Sequence, residues 1–308
     1  MKKKIVILGA TGFAGRNVWN ELQGDPSLDV YGLSRTSGCD LTDLKSAWLA
    51  IDPIRPDYIV NCAAHVGSVN YVSDFAADVV DLNMRMALNI YRVAQQLRET
   101  VVVNPIANCA YPGALDEYRE ADFWAGPIHP SVLSYGSTRR MLTVLAECYR
   151  AQFGVQSVNV VVPNMYGPYD SVNPNKTHAL NALVVKFVGA IRKNEPSVEV
   201  WGSGKPIREW LYAKDFARII RILIERGERS GDLVNIAQNH GKSVDELVSI
   251  ISAELGFRGE IRKNARFPDG AAKKVMDDAN FRERFPGFRF TSFEDGLRET
   301  IEYYTRVL

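Results

Sequence analysis

The residues best placed to do chemistry are Tyr135 and Arg139, in the stretch S-Y-G-S-T-R (134–139). A spacing of four puts both side chains on one face of a helix, one turn apart. A phenol titrates near ~10 in water. A neighbouring cation favours its phenolate, so the hydroxyl can exchange a proton with a substrate oxygen. Such pairs are common on ordinary helices, so the meaning of this one depends on the elements that precede it.

Those elements begin at the N-terminus with K-I-V-I-L-G-A-T-G-F-A-G-R (4–16). Ile5 to Leu8 is a short apolar run, β-branched at three positions, and suits a strand buried on both faces. Gly9, Gly12 and Gly15 follow, and then Val18, Trp19 and Leu22 repeat at helical spacing. Strand, glycine turn and helix form the phosphate-binding entry of a dinucleotide fold. Gly9 permits the sharp turn, Gly12 lets backbone N–H groups approach a pyrophosphate, and Gly15 lets the helix sit close to the strand. Val30 to Leu33 reads as the second strand. It ends at Ser34-Arg35-Thr36 and then Asp40-Leu41, where such a fold meets the adenosine ribose. An arginine there, with no acid at the strand end, favours a 2′-phosphate and hence NADP over NAD.

At 308 residues, with 46% hydrophobic and 24% charged positions, the chain is long enough for one large domain or two small ones. A net charge of +1 gives no footprint for nucleic acid or an acidic membrane. No apolar run approaches the ~20 residues that span a bilayer. Cys39, Cys62, Cys109 and Cys148 are scattered without metal-ligand spacing, so a reduced, cytoplasmic protein is expected. Asn175-Lys176-Thr177 matches a glycosylation acceptor by chance. Further strands are expected near 57–64, 101–103, 158–162, 198–201 and 233–237. Helices are expected near 80–97, 134–153, 178–192 and 247–255, with a last one containing Leu297, Ile301 and Tyr304. Ser243-x-x-Glu246 and Thr291-x-x-Glu294 read as capping boxes. The class is α/β: a Rossmann-type, doubly wound parallel sheet over 1–165 and a smaller α/β substrate-binding region over 166–308. A segment near 213–240 returns to the first part. The apolar helices at 80–97 and 135–153 suit a two-fold homodimer.

On these residues the chain resembles the extended short-chain dehydrogenases/reductases, and within them the branch that epimerises and reduces GDP-4-keto-6-deoxy sugars. The likeness runs nearly end to end: G-A-T-G-F-A-G, N-C-A-Y-P (108–112), S-Y-G-S-T-R, P-N-M-Y-G-P-Y-D (163–170), N-P-N-K-T-H-A-L (173–180), W-G-S-G-K-P-I-R-E-W-L (201–211) and P-D-G-A-A-K-K-V-M-D (268–277). The resemblance implies that Tyr135 hands a proton to the C4 oxygen while NADPH supplies hydride. It also implies that Cys109 and His178 are the epimerisation base and acid. It assigns cofactor contacts to Gly9, Thr11, Gly12, Phe13, Ala14, Gly15, Arg35, Asp40, Leu41, Ala63, Ala64, Tyr135, Arg139, Pro163, Asn164, Met165 and His178. Substrate contacts fall on Asn164, Lys186, Trp201, Arg208 and Lys274; Lys186 stands where the family has arginine.

Two departures touch the hydride step. The family's catalytic Ser/Thr is Ala107 here, without a hydroxyl, and Asn108 is its neighbour. The family's lysine is Arg139, a broad fork rather than a point donor. The expected activity is therefore an NADP-dependent nucleotide-sugar epimerase with a weakened reductase step. The alternatives are an epimerase or isomerase without net reduction, or a non-catalytic protein that binds a dinucleotide or sugar nucleotide.

Overall fold

The computed structural model describes residues 2–173, 176–267 and 269–308. Pro174 and Asn175, in the N-P-N-K-T stretch, and Pro268, the head of P-D-G, lie outside the described residues. In chain order the elements are β1 Lys3–Leu8, α1 Phe13–Leu22, β2 Leu28–Leu33, α2 Leu44–Ile51, β3 Tyr58–Asn61, α3 Val69–Asp74, α4 Ala76–Leu97, β4 Val101–Ala107, α5 Leu133–Phe153, β5 Ser157–Val162 and β6 Asn164–Tyr166. After these come α6 Ala179–Lys193, β7 Ser197–Trp201, β8 Ile207–Tyr212, α7 Ala213–Glu225, β9 Leu233–Asn235, β10 Gly241–Ser243, α8 Val244–Glu254, β11 Glu260–Asn264, β12 Lys273–Lys274, α9 Ala279–Arg284 and α10 Phe293–Val307.

Six strands make one parallel sheet in the order β2-β1-β3-β4-β5-β9. Successive side chains in a strand alternate between its faces, and here both faces are buried. Val6 and Leu8 join Ile59, Val102 and Ile106 in a core covered by α2, α4 and α5. Ile5 and Ile7 join Val60, Val101 and Val103 in a second core covered by α1 and α7. The chain leaves β1 toward β2 on one side and places β3 on the other. A crevice therefore opens at the carboxyl ends of β1 and β3, the point where such sheets bind ligands. The expected strand at 233–237 is β9, parallel to β5.

Beyond β5 the strands other than β9 join smaller sheets. The short strand β6 pairs in parallel with β8, and β8 is flanked by β10 and β12, while β7 pairs with β11. A third core, from α6, α8, α10 and these strands, packs Leu180, Val184, Phe187, Trp210, Leu247 and Tyr304. β8 thus carries Arg208 in register with Lys274 of β12, and Trp210 in register with Asn164 of β6.

The capping box at Ser243–Glu246 forms as expected, with both reciprocal bonds present. The box expected at Thr291–Glu294 does not. Ser292 caps α10 by accepting from Asp295 N, because Thr291 is held elsewhere: its N and Oγ1 donate to the buried carboxylate of Asp215 at 2.7 and 2.8 Å. Among the described residues no helix is long and apolar enough to cross a membrane.

Candidate active site

The glycine turn is shaped by what cannot fit there. Gly9 has φ +73°, and a Cβ on it would lie 2.9 Å from the backbone of Ala63. A Cβ on Gly15 would lie 2.2 Å from the Gly9 carbonyl oxygen, so only glycine lets α1 approach this closely. Gly12 is the N-cap of α1. It supplies no side-chain cap, and no acid stands in the first turn. A helix start of this kind presents N–H groups and a positive dipole end to an anion. Thr11 and Gly12 are exposed at the crevice, Ala14 is half-buried, and the buried Phe13 ring packs on His178 at 5.2 Å.

Arg35 is exposed, in a one-turn helix after β2 that is closed by Ser34 and Ser37. The carboxylate of Asp40 is engaged by the N and Oγ1 of Thr42 at 2.9 and 2.7 Å, which holds it below the usual carboxylate range. Both bonds fall on Oδ1, and the Arg35 charge also acts on this carboxylate. The Leu41 side chain is buried in the core beneath α4, and its carbonyl accepts from Asn89. Ala63 lies under Gly9 and Ala64 is exposed. Pro163 is buried, and Met165 packs into the second core.

Tyr135 and Arg139 lie one turn apart on α5, as their spacing requires. The Arg139 guanidinium carbon stands 5.2 Å from the centre of the Tyr135 ring, over its face. Burial pushes the phenol up, and Arg139 offsets part of that shift. The balance favours the protonated hydroxyl, a proton donor rather than a phenolate, contrary to what the cation alone suggests. Cys109 is buried in a small apolar cluster with Val72, Val79, Ile128 and Val132, against which Ala107 and Tyr135 pack. Burial raises its thiol too, and the cations opposing this are Lys274 and Arg139. Tyr135, Arg139, Cys109 and Lys274 therefore act on one another. Beside Ala107, the Asn108 side chain is buried with its Nδ2 unpaired, a donor without a partner.

His178 caps the start of α6 and donates its backbone N to Asp170 Oδ2 at 2.8 Å, while its Nδ1 lies 3.0 Å from the same oxygen. Burial would lower this imidazole, but the Asp170 charge and hydrogen bond outweigh it and hold His178 above its ordinary value. With Nδ1 so engaged, Nε2 is the atom left for a substrate. His178, Asn164, Lys186 and Trp201 line one cavity of about 330 Å³, whose opposite rim is the Gly67–Asn70 loop. Arg208 and Lys274, neighbours across β8 and β12, lie outside that wall. Arg208 donates to the Asp269 carbonyl at 3.2 Å. The structure thus gathers one catalytic cluster and one cavity, and leaves Arg35 apart at the end of β2.

Several contributors had no sequence signal of their own. Asn83, fully buried on α4, accepts at Oδ1 from Arg139 Nη2 and His65 N, both at 3.0 Å. Its Nδ2 donates to the carbonyls of His65 and Val79 at 2.8 and 2.7 Å. Arg139 is thereby fixed to the loop that leaves β3. Asp170, which orients His178, closes the P-N-M-Y-G-P-Y-D stretch, where nothing in its neighbours marks it as the partner of an imidazole eight residues on. Glu209, with no exposed surface, accepts from the N–H groups of Gln238 and Met276, and burial pushes its carboxyl up to about 7.

Comparison with known proteins agrees with this geometry. Residues 5–237 match the NAD dependent epimerase/dehydratase family. A probable GDP-L-fucose synthase 1 from Oryza sativa subsp. japonica is 29% identical, over 98% of this chain and 92% of its own length. The crystal structure of a GDP-L-fucose synthetase from Naegleria fowleri bound to NADP superposes with a TM-score of 0.86 at 24% identity, covering 99% of this chain and 95% of that one. A GDP-6-OMe-4-keto-L-xylo-heptose reductase from C. jejuni superposes with a TM-score of 0.87 at 21% identity, covering 99% and 98%.

The Asp170–His178 pair sets a pH dependence. Because the folded imidazole is raised, its contribution to stability is complete below the ordinary ~6.5 and fades as pH rises through the folded value. The depressed Asp170 carboxyl contributes above ~3.9 and loses that contribution as pH falls through its folded value. Asp170→Asn should therefore lower the His178 titration, and with it the pH at which any His178-dependent rate is lost on the alkaline side. An NMR titration of the imidazole checks this, and an unchanged midpoint would refute the coupling.

Proposed function

Because this chain belongs to the NAD dependent epimerase/dehydratase family, we propose that it is an NADP-dependent nucleotide-sugar epimerase/reductase acting on a GDP-4-keto-6-deoxy sugar. The observation that carries this reading is the joint position of Tyr135, Cys109 and Arg139 at the carboxyl end of a dinucleotide-binding sheet, with an oriented imidazole lining the adjoining cavity. Removing a proton from a carbon beside a ketone builds negative charge on the ketone oxygen. Cys109 is the base for that proton, and His178, kept protonated by Asp170, returns one from its Nε2. Tyr135 donates its proton to the C4 oxygen. The free Nδ2 of Asn108 supplies the hydrogen bond that Ala107 cannot, which favours a working reductase over an isomerase without net reduction. Arg208, Lys274, Asn164, Lys186 and Trp201 hold the nucleotide sugar. The segment 1–165 serves the cofactor and 166–308 the substrate, with 213–240 returning to the first.

NADPH supplies the hydride when bound, and the residues present fit it: a helix start without acid or cap, glycines where a Cβ would intrude, and an exposed Arg35 at the end of β2. The relative from Naegleria fowleri was crystallised with NADP, which supports the same cofactor here. Four free cysteines suit a reducing compartment such as the cytoplasm. The chain further pairs as a homodimer through α4 and α5. Val80, Leu133 and Met141 are exposed there, beside a groove of about 920 Å³ floored by Ala76, Ala77, Met84 and Leu88.

Incubation with GDP-4-keto-6-deoxy-mannose and NADPH in deuterated water tests the activity. We expect solvent label at carbons flanking the ketone together with loss of NADPH absorbance. Asn108→Ala should keep the label and slow reduction by roughly 100- to 1,000-fold, the usual cost of an oxyanion donor, and adding Ala107→Ser should restore it. Absence of both label and oxidation would leave a binding protein only. For the cofactor, Arg35→Ala should weaken NADPH by roughly 10- to 100-fold, since charge-assisted bonds contribute ~1.5–3 kcal/mol, and should leave NADH unchanged. Equal affinity of the natural protein for both would reject the NADP preference. For the assembly, sedimentation should give a dimer at micromolar concentration, and a monomer there would reject it.

A further inference from the structure

The cavity that holds His178 is also lined by two stacked aromatic rings, and only one of them has been given a role. Trp201 at the end of β7 and Phe267 in the turn after β11 lie with ring centres 4.2 Å apart and planes 13° from parallel, and both line the cavity. Lys186 Nζ stands 4.2 Å from the Trp201 ring centre and donates to the Glu199 carbonyl. The wall around the rings is aliphatic, with Leu183 and Val200.

Phe267 is held there by its own backbone. Its N–H reaches the carbonyl of Asn264 at 3.3 Å, and Asn264 is the register partner of Trp201 and also accepts from Gly202 N. Two residues beyond Phe267, Asp269 accepts from Ser203 N at 2.7 Å, and its carbonyl accepts from Arg208. Phe267 is thus tied to β11 beside Trp201, and Asp269 separately to Ser203 and Arg208.

A half-buried π-face with a cation and aliphatic walls around it suits a flat heteroaromatic ring. We propose that Phe267 is a nucleobase-binding residue: the base of the nucleotide sugar packs against Phe267, whose other face is stacked on Trp201. This rests on the nucleotide-sugar reading above and adds a contact to it. Stacking is tolerant of base identity, so the ring supplies affinity for a nucleobase, and discrimination between bases falls to polar neighbours such as Lys186.

Calorimetric titration of the full-length protein with GDP, UDP and ADP, alongside Phe267→Ala and Phe267→Tyr, tests this. We expect GDP to bind about 10- to 100-fold more weakly to Phe267→Ala and within a few-fold of the natural affinity to Phe267→Tyr, with NADPH affinity unchanged in both. Undiminished GDP affinity in Phe267→Ala overturns the proposal and leaves the GDP-sugar reading intact. A parallel loss of NADPH affinity also overturns it, because the ring would then be structural. Binding of UDP or ADP in place of GDP, again weakened by Phe267→Ala, supports Phe267 and removes the GDP reading. If the natural protein binds no nucleoside diphosphate, both fall.

Discussion

The approach of α1 to the turn at Gly9 is the contact that everything at the site depends on. With 2.2 Å between the Gly9 oxygen and the place where a Gly15 Cβ would stand, the helix can start directly above the carboxyl end of β1. That start points a dipole into the crevice, where the strand order divides between β2 and β3. The same turn lies against Ala63, so the exit of β3 is fixed by the glycine as well. From Ala63 the path is short to His65, which Asn83 grips by both backbone N–H and carbonyl, and Asn83 in turn holds Arg139. A steric constraint at the phosphate turn is thereby continued by hydrogen bonds to the acid–base pair on α5.

How far this was legible in the sequence depends on whether the signal was local. The glycine turn, the doubly buried β1, the helix carrying Tyr135 and Arg139, and the capping box at Ser243 are set by spacings of two to four residues, and they fold as such patterns should. Long-range partners were not legible. Asn83 meets Arg139 across 56 positions and Thr291 meets Asp215 across 76, and nothing in the neighbouring residues announces either. The second case also explains the misplaced cap of α10. Thr291-x-x-Glu294 and Ser292-x-x-Asp295 are equally good local patterns. Asp215, arriving from α7, takes the threonine hydroxyl and leaves the serine to cap. The strands β8, β10 and β12 escaped for a related reason. They are two to six residues long and polar at Arg208, Lys242 and Lys274, so they carry no sustained apolar run or alternation that would announce a strand.

The two departures from the family pattern look different once the contacts are known. A guanidinium at position 139 is wide enough to lie over the Tyr135 ring and still reach Asn83 with Nη2. An ammonium is a compact point charge that cannot span both in the same way. Likewise Ala107 removes a hydroxyl from a wall that is otherwise apolar, while the next residue is a buried amide with an unpaired donor. An unpaired donor in such a place is costly, ~1–3 kcal/mol, and its presence beside the reacting group is more naturally a ligand contact than a defect of packing. The two substitutions thus keep a cation over the Tyr135 ring and place a buried amide next to the position that lacks the hydroxyl.

Burial acts oppositely on the site's acids and its cations, and this ties the two halves together. It raises the Tyr135 and Cys109 groups toward their protonated forms and lowers the Lys274 ammonium and the Arg208 guanidinium, which stays charged. Each opposes the other: Cys109 favours a charged Lys274, and Lys274 favours an ionised Cys109. An anionic substrate entering between β8 and α5 would favour the cations. A sugar that expels water would raise the cost of every unpaired charge left behind. The thiol therefore need not be ionised in advance. In the proposed reaction it would lose its proton in concert with the charge that forms on the keto oxygen. A base that becomes competent only when the substrate oxygen can take the charge is protected from idle reaction with solvent oxidants, since the thiolate, not the thiol, is the reactive form.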